Sequence, residues 1–158
     1  PIGVRAAPAI NTSFIGLTPA FYMFEKPIGK KSGLASLRYI FLGGGIMDLQ
    51  STYHNEINII TVNAARIDAS VAIKFKDAMR SLTQTGPKHV VLDLSQVAFV
   101  DSSGLGAIVA SKKQIGYSRQ MDLAGLSGDV EKVFRLTRMD TIFEIHTNVD
   151  HFVKREAG

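Results

Sequence analysis

Residues 90–106 read Val90-Val91-Leu92-Asp93-Leu94-Ser95-Gln96-Val97-Ala98-Phe99-Val100-Asp101-Ser102-Ser103-Gly104-Leu105-Gly106. Val90, Val91, Leu92 and Leu94 form a short apolar run bounded by turn residues, the pattern of a strand buried on both faces, and such strands belong to parallel sheets covered by helices. After the loop Ser95 to Asp101, Leu105, Ile108, Val109 and Ile115 recur at helical steps, while Lys112 and Lys113 face water and Gly116 closes the helix. Gly104 and Gly106 fall in the first turn of that helix, where each costs roughly 0.5–1 kcal/mol relative to alanine. Bare backbone at a helix start suits a tight turn, the close approach of a partner, or an anion resting on exposed N–H groups. Asp101, Ser102 and Ser103 are each able to cap the helix, but one cap does not account for three polar residues and two glycines.

Upstream, a weak strand near Leu49 to Tyr53 and a stronger one at Ile57 to Asn63 pair as a hairpin across His54, Asn55 and Glu56. Asp68 stands where the N-cap of the next helix is expected, and Val71, Ala72, Phe75, Ala78, Met79 and Leu82 make one apolar face, ended by Gly86 and Pro87. Downstream, Met121 to Ala124 reads as a strand. Gly125 to Gly128 leads into a helix with Val130, Val133, Phe134 and Thr137 on one face. Asp129 and Glu131 lie early in it and Lys132, Arg135 and Arg138 late, as its dipole favours. Ile142 to Ile145 reads as a last strand, and Asn148 caps a short final helix presenting Val149, Phe152 and Val153. The order ββαβαβαβα predicts an α/β fold: a mixed sheet of four to five strands with about four helices.

Composition narrows the function. The chain has 158 residues and no cysteine, enough for one domain with a real core but with no disulfide framework, thiolate metal site or cysteine nucleophile. His54, His89, His146 and His151 lack metal-ligand spacing, so no metal and no cofactor is expected. The formal charge of +4 is concentrated in residues 1–46, where Arg5, Lys26, Lys30, Lys31 and Arg38 stand against Glu25 alone; residues 47–158 carry 13 charges of each sign. That neutral portion, without a basic face studded with aromatics, argues against nucleic acid. Residues 1–46, with prolines at 1, 8, 19 and 27 and glycines at 43, 44 and 45, are expected to form a poorly ordered extension, with Met47 as an alternative natural start. The uncharged run Ala6 to Phe24 is too polar and proline-broken for a membrane span, so no direct membrane insertion is expected and the location expected is cytoplasmic.

Enzyme motifs fail against the loop. The run Gly104-Leu105-Gly106-Ala107-Ile108-Val109 matches only two glycines of the dinucleotide fingerprint, a P-loop lysine is missing, and a nucleophile elbow would need glycine at 100 or 101, where Val100 and Asp101 stand. A hydrolase using Ser102 or Ser103 would also need a base that the sequence does not place.

The segment Asp93 to Gly106, following a helix introduced by Arg66, Ile67 and Asp68, resembles a STAS domain of the bacterial anti-sigma factor antagonist family. The similarity covers about residues 47–155 and includes the late helix with Val133, Phe134 and Leu136. Where many relatives carry Gly-Leu after that helix, this chain has Met139 and Asp140. The resemblance implies a STAS domain over 47–158 and a binding protein rather than an enzyme. By the same resemblance, an anti-sigma factor that is also a serine kinase is bound by the unphosphorylated form and released once Ser103 is phosphorylated, Ser102 being the alternative acceptor. A serine phosphatase resets the switch. Asp68, Asp101, Ser102, Gly104, Leu105 and Gly106 are then the partner-binding residues, and Asp93 is structural. Within the same fold, the alternatives are a constitutive STAS subunit of a phospholipid-transport ABC system, whose relatives more often carry threonine and alanine in the loop, and a stressosome-type scaffold.

Overall fold

The computed structural model describes residues 36–41, in backbone course, and 47–154. Eight strands and four helices follow in the order β1 (Ser36–Phe41), β2 (Met47–His54), β3 (Ile57–Val62), β4 (Arg66–Ile67), α1 (Ala72–Thr83), β5 (His89–Asp93), β6 (Phe99–Val100), α2 (Ser102–Ile115), β7 (Gln120–Ala124), α3 (Gly128–Leu136), β8 (Ile145–His146) and α4 (Asp150–Lys154). The main sheet has the order β1-β2-β3-β5-β7-β8, and β4 and β6 form a separate two-stranded sheet. β1, β2 and β3 are antiparallel neighbours, whereas β3, β5, β7 and β8 run parallel. Helices α1, α2 and α3 supply the crossovers that parallel strands need.

The expected α/β architecture and the central position of β5 are borne out, and the hairpin turns at Asn55, which adopts the left-handed conformation that asparagine tolerates (φ 54°). Four expectations are corrected. The sheet has six strands rather than four to five because β1, inside the stretch read as an extension, pairs along β2 from Ser36 opposite Thr52 to Phe41 opposite Met47. The rest of that stretch, 1–35 and 42–46, lies outside the described residues. The last strand spans only Ile145–His146, since Met139–Thr141 is a 3-10 turn and Phe143 drops into the core instead. Thr137 is exposed, its hydroxyl donating to the Val133 carbonyl (2.6 Å) rather than facing inward. Asp68 does not cap α1, whose first turn begins four residues later, at Ala72, with Val71 at the cap.

Strand alternation divides the sheet into two unlike faces. Val90, Leu92, Met121, Leu123, Ile60 and Val62 point to the side covered by α1, α2 and α3, where Phe75, Met79, Leu82, Ile108 and Phe134 complete one continuous apolar core. Burial of this size is the dominant favourable term in folding. The opposite face holds a smaller cluster of Ile59, Val91, Ala124 and Phe152, the last delivered by α4. Asn148, expected to cap α4, stands one residue before the cap: the Val149 carbonyl accepts the helix's first bonds, and Asn148 Oδ1 accepts from the Asp150 amide at 3.0 Å in the turn that leads in.

Beside that smaller cluster, polar groups fill the space that apolar side chains fill elsewhere. The Asp122 side chain is 3% exposed, and its Oδ2 lies 2.8 Å from His89 Nε2 and 3.1 Å from His146 Nε2. A carboxylate oxygen only accepts, so both imidazoles donate to it; Gln120 Nε2 donates to Oδ1 at 3.0 Å. Burial pushes the Asp122 carboxyl up, but the donors Gln120, His89 and His146 together outweigh it and hold the group below the usual carboxylate range.

Candidate functional site

The loop after β5 begins with Asp93, whose Oδ1 accepts from the Ser95 amide at 3.0 Å, the structural role expected of it. β6 then pairs with β4, Arg66 opposite Phe99 and Ile67 opposite Val100, which sets the segment before α1 beside the start of α2. Asp101 fastens the two. Its Oδ1 accepts from the Gly104 amide at 2.8 Å, capping α2, and its Oδ2 accepts from the Ala69 amide at 3.1 Å. One carboxylate thus satisfies two otherwise orphaned donors in two segments 32 residues apart.

The two glycines of the first turn separate into different roles. A Cβ at Gly104 would stand 1.9 Å from the Ile67 carbonyl oxygen, so glycine is required there for α2 to lie against β4. Gly104 is buried. A Cβ at Gly106 would meet nothing within 4 Å, and Gly106 is exposed. The fold has no use for glycine at 106, and the open surface there is available to another molecule.

Ser102 and Ser103 are both exposed on this same turn. Among the described residues neither hydroxyl has a hydrogen-bond partner, and both sit where helix N–H groups point outward with partial positive charge. Leu105 is partly buried against the core, so it supports the turn from beneath more than it faces outward.

Asp68 lies on the neighbouring segment. Its Oδ1 accepts from the Ser70 amide (3.0 Å) and hydroxyl (2.5 Å), and its Oδ2 from Arg66 Nε (3.2 Å). The Ser70 hydroxyl, then Arg66, hold its carboxyl below the usual range. Arg66 also lies over the Phe99 ring, 4.3 Å from its centroid, a cation–π contact that fixes the guanidinium at the rim. Phe99 is 43% exposed and Ile73, one residue into α1, is 70% exposed. Arg66 and Phe99 therefore extend the candidate surface beyond the residues expected from sequence. Two-residue strands are too short to show a period, so only the large apolar residues near a polar loop could have signalled them. The structure brings Asp68, Asp101, Ser102, Ser103, Gly104 and Gly106 to one rim, at the carboxyl end of β5 and β6.

The STAS domain family model matches residues 48–152. The chain belongs to the STAS domain family. An anti-sigma-B factor antagonist of Listeria monocytogenes is 34% identical over 84 residues, covering 52% of this chain and 73% of that protein. In fold, the chain is similar to an anti-sigma factor antagonist from Mycobacterium paratuberculosis (TM-score 0.61, 21% identity, 69% of this chain and 92% of that one). It is similar also to the Bacillus cell fate determinant SpoIIAA in its phosphorylated form (TM-score 0.53, 15% identity, 69% and 97%). Among the described residues no helix is long and apolar enough to cross a membrane.

Proposed function

We propose that this STAS protein is an anti-sigma factor antagonist whose rim at the start of α2 binds an anti-sigma factor serine kinase in the cytoplasm. Phosphorylation of Ser103 releases that partner, and a serine phosphatase restores binding. The observation that carries this reading is an exposed, unbonded Ser103 hydroxyl on a helix turn fastened from behind by Asp101 and Gly104, with open surface at Gly106. A phosphate there adds about −1.5 to −2 charges at the positive end of a helix, which the monomer tolerates. A packed interface tolerates it less, because it would have to desolvate the dianion beside Asp101 and Asp68; a penalty of roughly 2–5 kcal/mol weakens binding about 30-fold to several-thousand-fold. The chain itself carries no catalytic group in this scheme, since nucleotide and Mg²⁺ belong to the kinase.

Affinity capture from native lysate with the full chain, as wild type, Ser103→Asp and Ser102→Asp, tests the reading. Retention of a small serine kinase by wild type and Ser102→Asp, and its loss with Ser103→Asp, supports the switch. Equal retention of transporter subunits by all three baits overturns it in favour of a constitutive STAS subunit, and phosphopeptide mapping that finds phosphate only on Ser102 moves the acceptor.

A further inference from the structure

We propose that His89, Asp122, Glu144 and His146 form a binding site for a divalent transition-metal ion of the zinc class, on the sheet face opposite α2. The inference is independent of the partner-switching reading.

Three adjacent strands deliver these residues to one spot. His89 opens β5, Asp122 lies at the middle of β7 and His146 ends the edge strand β8, all on the face that carries Val91, Ala124 and Phe152, with Glu144 in the residue just before β8. Both imidazole Nε2 atoms converge on one Asp122 oxygen at 2.8 and 3.1 Å, and Glu144 Oε1 is 3.9 Å from His146 Nε2. Ligand atoms of Asp122, Glu144 and His146 all lie within 4.8 Å of one another. A tetrahedral zinc site with metal–ligand bonds of about 2.0–2.1 Å places its ligand atoms about 3.3 Å apart. The separations of 2.8, 3.1 and 3.9 Å bracket that edge; His89 lies outside the set whose ligand atoms are all within 4.8 Å of one another, so its imidazole makes the largest movement to complete the four-coordinate site.

The chemistry of the donors also fits. Two neutral imidazoles and two carboxylates balance the charge of a divalent ion, and nitrogen donors select zinc-class metals over Mg²⁺ and Ca²⁺, which take oxygen. On binding, the ion takes the place of the two Nε2 hydrogens, and each ring carries its proton on Nδ1 instead, so the imidazoles stay neutral. The second Asp122 oxygen is already held by Gln120 Nε2 at 3.0 Å, an outer partner of the kind that orients metal-binding carboxylates. Phe152 stands edge-on to both His89 and His146, with ring centroids 5.6 and 4.9 Å away, and walls the site on its α4 side. His151, 5.0 Å from the His146 ring, and exposed Glu144 mark the open side.

Calorimetric titration of Zn²⁺ into the full chain, paired with Co²⁺ titration followed by visible absorption, tests the site. The expected result is one saturating equivalent, with the intense Co²⁺ bands of four-coordinate geometry and no competition from excess Mg²⁺. His89→Gln and His146→Gln, both at partly exposed side chains, each remove a donor and weaken binding by at least the roughly 10–100-fold that loss of an outer partner costs; Asp122→Asn does the same where it folds, and His54→Gln leaves binding unchanged. Absence of saturable binding, six-coordinate Co²⁺ spectra, or unchanged affinity in both His89→Gln and His146→Gln overturns the proposal.

Discussion

The rim of α2 and the polar cluster on the far side of the sheet are each organised by one carboxylate, yet they recruit different donors. Asp101 accepts from two backbone amides, those of Ala69 and Gly104; Asp122 accepts from three side chains, those of His89, Gln120 and His146. Backbone donors are fixed by the chain path and have no second use, so the rim is held in one geometry and its outward serines are left for other molecules. Side-chain donors are adjustable, and an imidazole nitrogen that donates a proton can instead offer a lone pair. The fold thus keeps a rigid presenting surface on one side and an adaptable polar centre on the other.

The contrast can be broken most severely at Gly104. Gly104→Ala places a methyl group 1.9 Å from the Ile67 carbonyl oxygen, and we expect a loss of about 3 kcal/mol or more, read in denaturant unfolding. A mild effect would mean that α2 can retreat from β4. Asp101→Ala removes a helix cap and strands two amides, an expected loss of about 2 kcal/mol by the same measurement.

On the other side, Asp122→Asn is expected to cost about 1–2 kcal/mol at neutral pH, with a pH dependence of definite sign. A carboxyl depressed in the folded state contributes stability above its unfolded value, near 3.8, and loses that contribution as pH falls through its lower folded value. The gap between wild type and Asp122→Asn should therefore be full above pH 5 and close as the pH falls below about 3.8. A gap that persists undiminished at low pH would show that packing, not charge, is what the carboxylate supplies.

The smallest effect has the opposite sign. Gly106→Ala meets no neighbour within 4 Å and gains helix propensity, so it should stabilise the fold by about 0.5–1 kcal/mol. The same protein should capture the proposed kinase less well. If both stability and capture rise, the open surface at Gly106 is not part of the interface.

Much of this architecture was legible because it is repetitive. The run from Val90 to Leu94 and the spacing of Phe75, Ala78, Met79 and Leu82 each repeat one periodicity long enough to be read. Elements of two residues repeat nothing: β4 and β6 are invisible as patterns, and without them Asp68 reads as a helix cap instead of the centre of a turn bonded to Ser70 and Arg66. β8 reads longer in sequence than it is for the related reason that Ile142, Phe143 and Ile145 look like strand residues, although Ile142 is 42% exposed and only Phe143 is buried. The two glycines were visible as an anomaly, but their division needed Ile67, which lies 37 residues from Gly104 in sequence. The cluster of His89, Asp122 and His146 was illegible, since its members are 33 and 24 residues apart and only the strand order makes them neighbours.

The contact between Gly104 and Ile67 also sets a clock. An amide tied down by a carboxylate, behind a gap narrower than a methyl group, meets solvent only when α2 and β4 part, and they part only when the packing around Ile67 gives way. Deuterium should then enter at Gly104 about as slowly as at the centre of β5, whereas the amides of Ser102 and Ser103, a single turn away, exchange freely. A surface that waits for other molecules would keep the time of the core.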